Sequence, residues 1–139
     1  MPSNTTKIPF ASHQVAAGFP SPAEDYVENR IDLNEELVRH PAATFFVRAQ
    51  GNSMVDSGIH DGDILIVDRA LQPVNGNVVI AVLNGEFTVK RLKRKQGQIE
   101  LVPENPDYPP IPIGHNDEFT IWGVVTHTIH SLSRPPKIT

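Results

Sequence analysis

The sequence predicts a mainly β fold with one short helix and an extended N-terminal arm, divided into an arm over residues 1–40 and a body over residues 41–139. Two observations favour this fold. From residue 44 onward, segments rich in β-branched and aromatic residues alternate with Gly, Asn and Asp turn signals. In addition, 13 prolines in 139 residues favour turns and extended segments. The length fits one domain with tails.

The arm is poor in strand pattern and rich in Pro, Ser, Asn and small residues, so we expect it to lie over the body or to be loose. Residues 15–20 form a short stretch that can be extended. Asp32, with Glu35 three residues later, is typical of a capping box and predicts one short helix. That helix carries Leu33 and Leu37 on one face and ends before Pro41, because proline disfavours helical backbone in the residue before it.

Six strands are predicted in the body, at residues 44–49, 64–68, 77–83, 86–92, 98–102 and 119–129. Asn84-Gly85 separates two of them and predicts a hairpin with a two-residue type I′ turn. Residues 103–112 carry five prolines and are predicted to be an extended connection or a sheet edge, because proline cannot donate to an interior ladder.

Composition excludes several classes of protein. Hydrophobic residues at 39% argue against general disorder, and a net charge of −4 argues against a protein that coats nucleic acid. We therefore expect no direct sequence-specific DNA binding. No apolar run reaches about 18 residues and residues 1–11 lack the features of a secretory signal, so we expect a cytoplasmic protein without membrane contact. The absence of cysteine excludes disulfides and thiolate catalysis.

The six histidines are scattered, and we expect neither a cofactor nor a metal site. His127 and His130 are three residues apart in a predicted strand, where that offset places them on opposite faces. We interpret them as surface or edge residues.

A candidate nucleophile lies in Gly51-Asn52-Ser53-Met54, directly after a predicted strand. A glycine before a serine suits a tight turn that presents a hydroxyl beside free backbone amides. Most serines in such turns only bond to the local backbone, so the motif alone leaves both interpretations of Ser53 open.

A candidate base follows from the predicted hairpin. With Asn84-Gly85 as its loop, Lys90 faces Val79, and Ala81 and Thr88 are near neighbours. Burial among such residues lowers the pKa of a lysine and would let it act as a general base. The alternative is that Lys90 begins a solvated basic run over residues 90–95.

Several motifs follow one another in order at residues 18–22, 51–54, 61–68, 85–90, 101–108 and 122–125 and together cover nearly the whole chain. In this order they resemble the UmuD and LexA family of self-cleaving Ser-Lys proteases. The resemblance implies a LexA C-terminal-domain-like fold of the β-clip type, with twisted antiparallel sheets. It implies Ser53 as nucleophile, Lys90 as general base, the backbone amides of Asn52 and Ser53 as the oxyanion hole, and Ala17-Gly18 as the bond that is cut.

The resemblance also implies a role in the SOS response. A RecA filament on single-stranded DNA would promote cleavage, and the trimmed homodimer would serve a UmuC-like subunit of an error-prone translesion polymerase of the DNA polymerase V type. We expect no helix-turn-helix, since only about forty residues precede the body. Two alternatives are a self-cleaving regulator of phage or plasmid type without a polymerase role, and a non-catalytic β-rich interaction module.

Overall fold

The computed structural model describes residues 7–11, 14–20, 22 and 28–133 of the 139-residue chain. Parts of the predicted arm, including Ser21 of the motif at residues 18–22, lie outside the described residues. The chain divides into two compact units, residues 1–39 and residues 40–139. Each unit is described by itself below.

The N-terminal unit contains a two-stranded antiparallel sheet and one helix. Strand β1 (Ile8–Ala11) pairs with β2 (Glu28–Ile31), so that Ile8 faces Ile31. The sequence analysis predicted no strand here. Because β1 contains Pro9 and β2 is mostly polar, neither segment shows the alternation of side chains that is typical of a strand. The two strands pair through backbone groups, which this alternation does not report.

The predicted short helix is confirmed as α1 (Leu33–Leu37). Asp32 is its N-cap and accepts a 3.0 Å hydrogen bond from the Asn34 amide. Such a bond satisfies one of the amide groups that a helix leaves without an intrahelical partner at its start. No helix in the described part of the chain is long and apolar enough to cross a membrane.

The body is built on a seven-stranded antiparallel sheet, which confirms a mainly β fold. Its strands are β3 (Thr44–Arg48), β4 (Ile64–Asp68), β5 (Val78–Leu83), β6 (Glu86–Lys95), β7 (Gln98–Val102), β8 (Ile111–Pro112) and β9 (Phe119–Ile129). Their spatial order is β3-β4-β9-β5-β6-β7-β8. Two short 3-10 turns, Pro41–Ala43 and Val55–Ser57, were not predicted.

The six predicted strands are all present, with boundaries that differ by up to three residues. The largest difference is in β6, which continues to Lys95 and pairs with β7 through the basic segment. The proline-rich segment at residues 103–112 ends in β8, a two-residue strand at the edge of the sheet, as predicted.

The β5–β6 hairpin has the predicted register. Leu83 faces Glu86, and Asn84 and Gly85 form the turn with φ of 50° and 83°. These positive angles are what a type I′ turn requires. Lys90 therefore lies opposite Val79, and Thr88 opposite Ala81.

Strand β9 connects the two halves of the sheet, since it pairs with β4 on one side and β5 on the other. Its register shifts once along each partner. Thr126 therefore has no residue opposite it on β4, and Trp122 has none opposite it on β5, as in a β-bulge. Gly123 lies between these two positions, where a Cβ atom would come within 2.6 Å of Val67 Cγ1. This close approach explains why the position holds a glycine.

Two clusters of buried residues form the core. The first lies under β3, β4 and the segment after β3 and contains Ala49, Met54, Ile59, Leu65, Val67 and Ile80. The second lies under β5, β6, β7 and β9 and contains Val79, Ala81, Leu92, Leu101 and Val124. Strand β5 contributes to both clusters, so that Ile80 and Val79 face different cores.

Candidate active site

Ser53 lies in a tight turn that begins after β3. Gly51 has a φ of 90°, a left-handed conformation that favours glycine, and its amide donates a 2.7 Å hydrogen bond to Asp61 Oδ1. Met54, the next residue after Ser53, is 1% exposed and belongs to the first core cluster. The turn is thereby fixed on both sides of Ser53.

A second segment holds the same turn from outside. The Glu104 amide donates to the Ser53 carbonyl oxygen at 2.8 Å, and the Asn105 side-chain amide donates to the Asn52 carbonyl oxygen at 2.8 Å. Glu104 also forms an ion pair with Arg91 on β6. The sequence analysis missed these residues, because no local pattern relates positions 104 and 105 to a turn fifty residues earlier.

Lys90 lies near the middle of β6 and is 8% exposed. Val79 and Ala81 on the facing strand are both fully buried. The alternative that Lys90 is one more solvated charge is therefore wrong, whereas Lys93 and Lys95 farther along the same strand are exposed.

The Lys90 amino group makes three hydrogen bonds. Nζ lies 3.0 Å from Ser53 Oγ, 2.8 Å from Thr88 Oγ1 and 3.1 Å from the Val89 carbonyl oxygen. The two site residues predicted on separate segments are thus in direct contact. Thr88, which the sequence analysis named only as a neighbour, is a second hydroxyl on the same amino group.

Burial lowers the pKa of Lys90 below its ordinary value near 10.5, because an ammonium group loses solvation inside the protein. No ion pair formed by the described residues includes Lys90. The amine is therefore easier to deprotonate than that of a surface lysine, as a general base requires.

A cleft of about 470 Å³ opens in front of Ser53 and Lys90. Apolar side chains provide most of its lining, namely Val47, Ala49, Leu65, Ile80, Phe87, Val89 and Trp122. Phe87 is 67% exposed and its ring lies 6.2 Å from that of Trp122, so the two aromatic rings form one wall. A cleft with such a lining suits an apolar group.

The backbone amides of Asn52 and Ser53 belong to the turn that carries the Ser53 hydroxyl. Among residues 7–11, 14–20, 22 and 28–133, neither the Asn52 nor the Ser53 amide donates a hydrogen bond. Both N–H groups can therefore donate to an added acceptor.

Ala17 and Gly18 belong to the N-terminal unit, where they form part of an exposed bend. Apart from the two neighbouring residues, no atom of the described residues lies within 4 Å of the position that a Gly18 Cβ would occupy. The bond between them is therefore accessible.

His127 and His130, which the sequence analysis interpreted as separate surface or edge residues, are both exposed and contact different residues. His127 Nδ1 contacts Thr126 Oγ1 at 3.0 Å, whereas His130 Nδ1 contacts Asp63 Oδ1 at 2.6 Å. His130 comes close to His60 instead, which the sequence analysis missed because the two lie seventy residues apart.

Comparison with known proteins gives the family of this chain. Residues 9–126 match the peptidase S24-like family. The chain belongs to that family. Its membership identifies the chain as a serine protease.

Sequence identity to individual relatives supports this family assignment. It is 52% identical to the protein SamA of Salmonella typhimurium over 122 residues, which cover 88% of this chain and 84% of SamA. It is 47% identical to the protein MucA of Escherichia coli over 128 residues, covering 91% and 87%. Against the LexA repressor of Bordetella pertussis it is 42% identical over 118 residues, 85% of this chain and 54% of the repressor. These matches confirm the prediction that the chain is UmuD-like and has a LexA-like fold.

Proposed function

We propose that this chain is a self-cleaving protease in which Ser53 is the nucleophile, Lys90 is the general base, and the bond cut is the chain's own Ala17-Gly18 bond. The observation that carries the proposal is the 3.0 Å contact between Lys90 Nζ and Ser53 Oγ in a buried position. A serine hydroxyl needs an adjacent base to become a nucleophile at neutral pH.

The hydrogen bonds of Lys90 suit the neutral amine. A neutral amine has two N–H donors and one lone pair. Thr88 Oγ1 and the Val89 carbonyl oxygen accept the two donors, which directs the lone pair to the Ser53 hydroxyl. Lys90 then takes the hydroxyl proton as Ser53 Oγ attacks the Ala17 carbonyl carbon.

The Asn52 and Ser53 amides would stabilise the tetrahedral intermediate. Its oxygen carries a negative charge, and two backbone N–H donors beside Ser53 Oγ stabilise that charge without having to reorganise. The protonated Lys90 gives its proton to the Gly18 amine as the bond breaks. Water then hydrolyses the ester between Ser53 and Ala17, leaving residues 18–139 as the product.

The segment before the bond suits the cleft. Val15, Ala16 and Ala17 are apolar and exposed in the N-terminal unit, and two of them are small enough for a close backbone approach. Because the substrate is part of the same chain, its effective concentration at the hydroxyl is high once the segment is docked.

Similarity to the LexA repressor and to MucA supports a regulatory setting for the cleavage. We place the chain in the SOS response, with a RecA filament on single-stranded DNA promoting cleavage by stabilising the docked segment. The trimmed homodimer then joins a UmuC-like subunit of an error-prone translesion polymerase. In this role, residues 18–139 should bind such a subunit more tightly than the uncut chain does. A regulator that serves no polymerase should not bind it in either form.

The cleavage proposal is tested by mass spectrometry of the purified chain at alkaline pH and, separately, with activated RecA filament. The expected product begins at Gly18 and is absent from Ser53→Ala and Lys90→Ala. Ser57→Ala is a matched control, since the Ser57 hydroxyl donates only to the Met54 carbonyl oxygen. An intact wild-type chain under both conditions would contradict self-cleavage. Equal cutting of Ser53→Ala, Lys90→Ala and the wild type would exclude Ser53 and Lys90 as nucleophile and base.

A further inference from the structure

A second cluster of functional side chains lies outside the cleft. His60, Asp63 and His130 each place one potential ligand atom within 4.8 Å of the others. His60 and Asp63 come from the loop before β4, and His130 follows the end of β9. The three residues therefore join two segments of the body.

The carboxylate of the cluster is held in place. Asp63 is 4% exposed, and its Oδ2 atom accepts hydrogen bonds from the His60 amide at 2.8 Å and from Thr128 Oγ1 at 3.3 Å. Carboxylates that bind metal ions are commonly oriented by such hydrogen bonds.

The two imidazole rings lie next to this carboxylate and are half-exposed. His130 Nδ1 is 2.6 Å from Asp63 Oδ1, His60 Nδ1 is 3.7 Å from Asp63 Oδ2, and the ring centroids are 4.6 Å apart. A single histidine would be enough to satisfy Asp63. The second ring adds another nitrogen donor at the same position.

The opposite end of β4 provides a comparison within the same protein. There, buried Asp68 contacts one histidine, with His40 Nδ1 at 2.6 Å from Asp68 Oδ2. Among the described residues, only the cluster around Asp63 brings three metal-ligating groups together. The extra histidine distinguishes this end from a simple His-Asp pair.

We propose that His60, Asp63 and His130 bind a divalent transition-metal ion, with Zn²⁺ as the best match. Two imidazole nitrogens and one carboxylate oxygen are a common set of zinc ligands, and the open side of the half-exposed rings leaves a fourth position for water. In a tetrahedral site with bonds of about 2.1 Å, ligand atoms lie roughly 3.4 Å apart. Binding would require the two rings to rotate about their side-chain torsions to this spacing.

Binding would tie the loop before β4 to the end of β9. The Asp63 carbonyl oxygen accepts a 2.8 Å hydrogen bond from the amide of Ala49, which precedes Ser53 by four residues. Because the three ligands come together only in the folded chain, a bound ion stabilises the folded body. It lies outside the lining of the cleft and adds no group to the reaction.

The experiment is a titration of the untagged, full-length Ser53→Ala chain, which stays uncut, with ZnCl₂ in a buffer free of chelators. Calorimetry is expected to give one site per chain, and thermal unfolding a higher midpoint with zinc than with EDTA. In the Ser53→Ala background, His60→Ala and His130→Ala should each weaken binding at least about tenfold. His40→Ala and His127→Ala are the matched controls and should bind as the parent does.

Two results would overturn the site. The first is that zinc gives neither a heat of binding nor a shift of the thermal unfolding midpoint. ZnCl₂ would be used at roughly 100-fold molar excess over protein, so that even a weak site would be detected. The other is equal binding by the His60→Ala, His130→Ala and control variants. Because the hydroxyl of Ser53 is absent throughout, neither result depends on the protease proposal.

Discussion

The Lys90 amino group lies 3.0 Å from the Ser53 hydroxyl, although 37 residues separate the two in the chain. One residue comes from a strand and the other from a turn anchored by the first core cluster. Because both backbones are fixed, the contact needs little rearrangement before reaction. Its chemistry then depends on whether Lys90 carries a proton.

Cleavage should become faster as the pH rises. The neutral amine is the active form, and burial lowers the pKa of Lys90, so the rate should rise about tenfold per pH unit below that pKa and then level off. A time course at pH 6 to 11, followed by mass spectrometry, measures this. Lys90→Arg should be inactive throughout, because a guanidinium group stays protonated. A rate independent of pH would exclude Lys90 as the base.

Thr88→Val should lower the maximal cleavage rate about fivefold, the effect of losing one hydrogen bond of ordinary strength. It should also move the pH midpoint of cleavage downward, because Thr88 Oγ1 accepts a 2.8 Å bond that favours the ammonium form of Lys90. Rate against pH tests both effects. A lower rate with an unchanged midpoint would indicate that Thr88 only supports packing.

Asn105→Ala should slow cleavage while leaving the pH midpoint in place. Its side-chain amide bonds to the Asn52 carbonyl oxygen at 2.8 Å and positions the turn, but it has no contact with Lys90. We expect a decrease of about five- to tenfold, corresponding to one hydrogen bond. Asn105→Asp is the matched variant, because it keeps the size of the side chain and removes the donor. Wild-type rates for both variants would contradict the positioning role.

Gly123→Ala should destabilise the body by about 1–3 kcal/mol, as expected for overpacking. The added methyl group would come within 2.6 Å of Val67 Cγ1 and 3.2 Å of Arg69 Cγ, and Val67 is fully buried. Chemical denaturation gives the free energy of unfolding. Gly114→Ala is the control, since its nearest contact is a side-chain oxygen at 3.5 Å. Equal stability of the two variants would show that β9 can shift to make room.

Asp68 should contribute stability that depends on pH. Burial alone would raise its pKa, but hydrogen bonds from His40 and the Ala70 amide outweigh burial, so the pKa lies below its ordinary value near 3.8. A carboxylate with a lowered folded-state pKa stabilises the fold above the unfolded pKa, and this stability is lost as pH falls through the folded pKa.

Asp68→Asn should therefore be destabilised near neutral pH by about 1.5–3 kcal/mol, the range for hydrogen bonds to a charged group. The difference from wild type should shrink below pH 4. Unfolding curves from pH 7 to pH 2.5 measure it. A difference that stays constant over this range would mean that the Asp68 charge does not contribute.

Local signals predicted most of the body. Turn residues and β-branched segments located six strands, and Asn84-Gly85 fixed the β5–β6 register, which placed Lys90 opposite Val79. The same approach failed for β1 and β2, where proline and polar residues obscure strands that pair through their backbones. It also gave no indication of the segment at Glu104 and Asn105 that holds the nucleophile turn.

The sequence by itself determined six strands of the body, the hairpin and, through several ordered motifs, the resemblance that singled out Ser53 and Lys90. Only the tertiary structure decided which distant residues meet. Strand β9 lies between β4 and β5 in the sheet. No local pattern predicts this order, because it depends on how the whole sheet buries its two core clusters. The same insertion brings His130 to His60 and Asp63, and the packing of Met54 brings Ser53 to Lys90.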